Sequence, residues 1–173
     1  MPNREPTETT NLDTIYGSQA IPWSRARDAL ATGALAAGMS FFLGTVRPDG
    51  RPHAAGLGAA FHDGDLYFQC GPQTRKARNL AANPACTISG NLPGIDLVLE
   101  GEARRVTDTP TLEAIAGLFR ESGWPVEVDG DGFTAPFSAP SAGPPPWHLF
   151  RLEAHTVFGV ATAEPHGATR WRF

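Results

Sequence analysis

The chain has 173 residues, 41% of them apolar, and a formal net charge of −4. That length supplies one domain with a full core and falls short of two ordinary ones. The mild negative charge argues against bulk attraction to nucleic acid or anionic membrane, and no run of about 18 apolar residues predicts a membrane-spanning helix. Met1 to Thr10 is polar and lacks the basic start and apolar middle of a signal peptide, so a cytoplasmic protein is expected. Residues 1–20 are expected as a flexible tail ahead of a single domain over 21–173. Cys70 and Cys86 lie far apart and outside any metal-type spacing. Both read as buried small apolar side chains, not as a disulfide or a zinc site.

Pro22 and Ser24 open a helix that runs to about Ala31, with Ser24 as N-cap and Gly33 as stop. Met39 to Val46 is a buried-strand run, and Pro48-Asp49-Gly50 is a turn in which Pro sets φ and Gly accepts a positive φ. A second strand is expected from Arg51 to about Phe61, with Asp63-Gly64 as the next hairpin turn. Asp65 to Cys70 is a third strand, Leu66 and Phe68 on one face, Tyr67 and Gln69 on the other. Gly71-Pro72 ends this meander. A short helix follows from Thr74 to about Ala82, capped by Thr74 and stopped before Asn83-Pro84. Ala85 to Ser89 and Ile95 to Val106 read as strands, with Gly101 marking a bulge or bend. Asp108 caps a helix from Pro110 to Glu121 that turns Leu112, Ile115, Ala116 and Phe119 inward. Residues 123–146 are rich in Pro, Gly and Ser and are expected to form a lid or arm outside the core, with Glu127 to Asp131 a solvated loop. The last strands are His148 to Leu152, Thr156 to Ala161 and Thr169 to Phe173. Six or seven antiparallel strands with helices between them predict a mainly β fold, a closed or nearly closed barrel in preference to a sandwich.

The helix start Thr74-Arg75-Lys76-Ala77-Arg78 breaks a local rule. Cations in a first turn oppose the positive end of the helix macrodipole. An anion held there by free backbone N–H groups, the Thr74 hydroxyl, a bidentate Arg75 and the point charge of Lys76 would compensate. Lys76 is also the sole lysine in a chain whose other basic residues are all arginine. The competing reading is a solvated basic face. A second feature is Ala54-Ala55-Gly56-Leu57-Gly58-Ala59-Ala60, a strand of small residues. Such a strand admits either a flat ligand on exposed main chain or tight packing against another chain or a helix.

The blocks Thr45-Val46-Arg47-Pro48-Asp49-Gly50-Arg51-Pro52, Leu66-Tyr67-Phe68, Thr74 to Leu80 with Asn83-Pro84, and Glu100-Gly101-Glu102-Ala103 occur in an order and spacing that resembles the pyridoxamine 5'-phosphate oxidase-like flavin-binding family. The resemblance covers about residues 24–122, and the C-terminal strands more loosely. It implies an FMN-binding split β-barrel that works as a homodimer with the cofactor at the subunit interface. It further implies that Thr74, Arg75 and Lys76 hold the FMN phosphate, that Ala55, Gly56, Leu57 and Gly58 line the ring with main chain, and that Gln69 and Cys70 lie beside it. Asp96 is the nearest match to a flavin-contacting polar residue on the fifth strand. Arg170 and Trp171 are candidates from the other subunit. The oxidases proper carry an Arg-Pro-x-x-Ser pattern that grips the substrate phosphate. Phe119 to Pro125 lacks it, so pyridoxamine phosphate oxidation is not expected.

The function expected on this reading is an FMN-dependent oxidoreductase acting on a small molecule, with no catalytic acid or base nominated. Two rivals are a reductase using the deazaflavin coenzyme F-420, with Arg47, Arg51 and Arg78 serving its longer acidic tail, and a flavin-binding protein without turnover. His53, His62, His148, His155 and His166 show no metal spacing and read as surface or packed side chains. Gly56-Leu57-Gly58 is no dinucleotide fingerprint, because a strand continues where a helix would be required. No metal and no nucleophilic triad are expected.

Overall fold

Along Phe41–Val46 and the first part of Ile95–Val106 every second residue is buried, as a strand with one face on a core requires. The computed structural model describes residues 4–36 and 39–173. Their elements are β1 (Glu8–Asn11), α1 (Trp23–Gly33), β2 (Phe41–Val46), β3 (Pro52–Leu57), β4 (Ala59–His62), β5 (Asp65–Cys70), α2 (Arg75–Ala82), β6 (Ala85–Leu92), β7 (Ile95–Val106), α3 (Thr109–Glu121), β8 (Glu127–Asp129), β9 (Gly132–Thr134), a 3-10 turn at Pro140–Ala142, β10 (His148–Ala161) and β11 (Ala168–Arg172). None of these helices is long and apolar enough to cross a membrane.

The main sheet is antiparallel and runs β1-β11-β10-β7-β6-β2-β3, with β5 on β10 and β4 on β5. Strand β10 forks the sheet. Its first part, His148–Leu152, pairs with β5, its second, Thr156–Val160, with β11, and its other edge carries β7 throughout. At Gly58 the chain passes from β3, at one end of the sheet, to β4, at the tip of the branch that β5 forms on β10. The sheet thereby curls back on itself without a ladder joining β3 to β4. This is a split β-barrel, and the mainly β expectation holds.

Three readings change. The single strand expected over 51–61 breaks at Gly58 because its halves pair with different neighbours. The runs at His148 and Thr156 join into one strand through a bulge between Ala154 and Thr156. The segment before Pro22 does not hang free: β1 pairs with β11, and Glu8 bridges to Arg170 at 3.1 Å and Arg172 at 3.2 Å. Residues 1–3 of that expected tail lie outside the described residues. A smaller change concerns α1, which starts one residue before Ser24, so Pro22 is its N-cap and no side chain caps it.

The core has two parts, because β5 is buried on both faces. Leu66, Phe68 and Cys70 point into the barrel with Phe41, Leu43, Ile88, Leu97 and Trp171, and α1 closes it with Trp23, Ala26 and Leu30. Tyr67 points the other way, into a cluster with Ala60, Leu149 and the apolar face of α3. The segment 123–146 belongs to this second cluster, which corrects the reading of it as a lid outside the core. Val126, Phe133, Ala142 and Trp147 are buried there. The indole N–H of Trp124 donates to Phe137 O at 2.7 Å, and that of Trp147 to Gly143 O at 2.8 Å. Burial of four apolar anchors offsets the cost of ordering a Pro- and Gly-rich chain. Glu127 to Asp131, expected as a loop, supplies the hairpin β8–β9.

Candidate functional site

Strand β5 delivers the chain to the start of α2 through the Gly71-Pro72 turn. Thr74 caps that helix as its sequence predicts: its Oγ1 accepts from Ala77 N–H at 3.3 Å and donates to Gly71 O at 2.8 Å. The N–H groups of Arg75 and Lys76 belong to the first turn, which no intrahelical carbonyl reaches. Arg75 is exposed. Lys76 is only 4% exposed, and its Nζ donates to Ser141 O at 2.6 Å. Burial holds the Lys76 ammonium below its ordinary value. Beside them lie Arg47, at the end of β2, and His53 on β3. Burial, then the charges of Arg47, Arg75 and Lys76, hold the His53 imidazole below its ordinary value.

Among the described residues no carboxylate pairs directly with this group, although Asp49, itself held by Arg51, lies within electrostatic reach of Arg47. Among the described residues, Arg47, Arg75, Lys76 and Arg78 pair with no carboxylate, whereas Arg51, Arg104, Arg105 and Arg151 each do. The Arg47 Nε is moreover buried with no hydrogen-bond partner. A buried, unpartnered guanidinium nitrogen in a cluster of like charges at the positive end of a helix is costly unless an anion completes it. The residues present therefore fit a phosphate group. A cleft of about 310 Å³ adjoins them, lined by Gly71 to Thr74 and Gly143 to Pro146.

Next to the cluster, β3 is the last strand of its sheet, so its outer edge presents unpaired main chain. A Cβ on Gly58 would meet nothing within 4 Å, and one on Gly56 only the Phe42 ring at 4.0 Å. Packing within the chain does not require these glycines, and their main chain stays open to a ligand or a second chain. The turn Pro140–Ala142 packs beside β3 and also holds Lys76.

The expected site residues thus divide. Thr74, Arg75, Lys76, Gln69 and Cys70 meet where β5 gives way to α2, and Ala55, Gly56, Leu57 and Gly58 lie at the end of β3 and just after it, the strand beside which the Pro140–Ala142 turn packs. Cys70 is fully buried, its thiol pushed up by burial, and Cys86 is pushed up to about 12 by the same cause. Asp96 is not brought to the cluster. It pairs with Asn91 near the β6–β7 turn, whereas Thr45 pairs with Cys86, roughly 17 Å away along β6 at the usual strand rise. Arg170 is held by Glu8 and Thr10 at 3.1 Å each. Trp171 is fully buried in its own chain, edge-on to Trp23 at 5.5 Å. In the sequence His53 shows no metal spacing, and Arg47 stands in a family-like block and as a candidate for the deazaflavin tail. Thr45 and Asn79 stand in such blocks with no role assigned; they are buried polar side chains joined by an Asn79 Nδ2–H donation to Thr45 Oγ1 at 2.9 Å. Their signal was a polar residue on the inward register of a strand and of a helix.

A sequence profile described as pyridoxamine 5'-phosphate oxidase matches residues 31–161. The chain belongs to this family. Solved structures agree on the fold. General Stress Protein 26 of Bacillus anthracis superposes with a TM-score of 0.56 at 16% identity, covering 86% of this chain and 99% of that one. A pyridoxamine 5'-phosphate oxidase-related, FMN-binding protein of Nostoc punctiforme gives 0.58 at 20% identity, covering 87% and 90%. A NimC/NimA family protein of Clostridium acetobutylicum gives 0.54 at 16%, covering 85% and 91%. No curated protein sequence matches the chain.

Proposed function

We propose that the protein is an FMN-binding oxidoreductase that acts on a small molecule. The observation that carries this reading is the group of cations without a direct ion pair among the described residues, Arg75 and Lys76 at the start of α2 and Arg47 just after β2, with the Arg47 Nε buried and unpartnered. Family membership supports it, as does the likeness to a protein described as FMN-binding. In this reading Arg75, Lys76 and the first-turn N–H groups bind the phosphate, and the open main chain of β3 from Ala55 to Gly58 supports the ring. The bound flavin supplies hydride or electron transfer. The chain supplies binding, orientation and a cleft that limits water.

A deazaflavin tail would draw on Arg47, Arg51 and Arg78 along a groove. Arg51 is turned onto Asp49, with Nη2 at 2.6 Å from Oδ2, which leaves Arg47 and Arg78 for that tail. Purified protein is expected to be yellow, to release FMN identifiable by mass spectrometry, and to bleach with a nicotinamide reductant. A colourless protein that binds only the deazaflavin overturns the FMN reading. Bound FMN that no reductant or substrate bleaches overturns the enzymatic one.

We also propose a homodimer. The C-terminal strand does not motivate it, because Trp171 is buried by its own chain and Phe173 packs against Trp23 and Arg4. The outer sheet face does. Phe42, Val98 and Val160 are 54%, 38% and 52% exposed, and the register Phe42–Ser89–Val98–Phe158 sets them on one surface beside Gly56. Such a stripe on neighbouring strands marks an interface. Light scattering at micromolar concentration should give a dimer, one that buries more than about 2,000 Å². Phe42→Glu with Val160→Glu should give a monomer. A wild-type monomer with cofactor still bound refutes the assembly.

A further inference from the structure

We propose that His53 is a proton-linked positioning residue of the phosphate site: it takes up one proton as a phosphate dianion enters among Arg47, Arg75 and Lys76, and so makes cofactor affinity depend on pH. The inference rests on reading that cluster as a phosphate cradle.

The geometry begins inside the barrel wall. Asn79, buried on α2, donates from Nδ2 to Thr45 Oγ1 at 2.9 Å. That bond occupies one lone pair of the hydroxyl and leaves its proton and its second lone pair. Two atoms of His53 lie at 3.4 Å from the same oxygen, the ring Nδ1 and the main-chain carbonyl. With the hydroxyl proton turned to Nδ1, the imidazole is neutral and carries its proton on Nε2. With the hydroxyl proton turned to the carbonyl, the free lone pair accepts from Nδ1–H of an imidazolium. One hydroxyl held by Asn79 therefore serves both states of the ring without moving the backbone. A hydrophobic residue at position 45 would pack as well and could do neither.

The surroundings supply the switch. The charged and titratable groups facing His53 are Arg47 from β2 and Arg75 and Lys76 from α2. The Pro140–Ala142 turn packed beside β3 contributes Pro, Ser and Ala only. Burial disfavours the charged ring, and every charge acting on it is positive, so without ligand the neutral form prevails near neutral pH. A phosphate dianion reverses the sign of the field and draws one proton from solvent onto the imidazole. No bond other than N–H forms.

The sign follows from linkage. A ligand whose binding takes up a proton binds tighter as pH falls, between the bound-state and free-state midpoints of the ring. The phosphate's own second ionisation, near pH 6, works the other way, because its monoanion binds less well. Comparison with His53→Gln cancels that contribution, since both proteins meet the same phosphate.

FMN and riboflavin are titrated into the full chain and into His53→Gln by flavin fluorescence, between about pH 6 and about pH 8. The ratio of variant to wild-type Kd for FMN should be near one at the alkaline end and rise to about tenfold at the acid end. For riboflavin, which lacks the phosphate, the ratio should not change with pH. In wild-type protein one histidine Cε1–H resonance should shift its titration midpoint upward when FMN binds, a readout that needs no variant. A ratio for FMN that is constant with pH, or histidine midpoints unmoved by FMN, overturns the inference while leaving the cradle standing. Riboflavin binding as tightly as FMN to the wild type, or no FMN binding at all, overturns the cradle and this inference with it.

Discussion

Arg75→Ala should weaken FMN binding by about tenfold to a hundredfold, because one charge-assisted, bidentate contact is worth roughly 1.5–3 kcal/mol. Arg75 is exposed and pairs with no carboxylate among the described residues, so its removal costs the fold little. Urea midpoints should match the wild type. Lys76→Ala behaves differently. Its ammonium is a point charge and should contribute less to phosphate binding than the Arg75 fork. But Lys76 is buried and ties α2 to the turn at Ser141, so its removal also loosens that turn. The expected result is a smaller loss of FMN affinity accompanied by a lower melting temperature. Retained flavin affinity in both variants at moderate salt would falsify the phosphate assignment and return the basic helix start to a solvated face.

The largest effect on stability is expected at Gly101. It faces the bulge on β10, and a Cβ there would lie 2.2 Å from Glu153 O and 2.8 Å from Ala154 Cα. Both are main-chain atoms of a paired strand and cannot rotate away as a side-chain tip could. The sheet must shift or the ladder between β7 and β10 must open. Gly101→Ala should therefore destabilise the protein by about 3 kcal/mol, a fall in the urea midpoint of roughly 1–2 M. Gly58→Ala is the matched control. Open space surrounds that position, so stability should stay within about 0.5 kcal/mol, while flavin affinity drops if the ring lies on this main chain. Equal stability of Gly101→Ala and Gly58→Ala refutes the argument from the bulge.

Much of the framework was legible because it depends on neighbours in the chain. Thr74 and Asp108 cap their helices as read, each side chain accepting from the N–H three residues on. The alternation in Asp65–Cys70 correctly divides Leu66 and Phe68 from Tyr67. Gly101 was recognisable as the site of a bend, and the density of cations at the start of α2 could be read directly. The two cysteines are buried, as their reading as small apolar side chains implied.

What the sequence by itself determined is the alternation, the caps, the turns and the density of cations at the start of α2, all properties of residues within a few positions of one another. Only the tertiary structure decided the rest. It broke the 51–61 strand at Gly58, because its halves find partners on opposite sides of the barrel. It took Trp171 into the core, because β11 pairs with β10 and turns that ring under Gly159. It folded residues 123–146 onto α3 and β5, because their aromatic anchors have a buried face to fill that no local pattern reveals. It gathered Arg47 and His53 beside Arg75 and Lys76, although more than 20 residues separate the two pairs. Long-range contacts of this kind are fixed by strand partners and buried area, which a one-dimensional pattern does not specify.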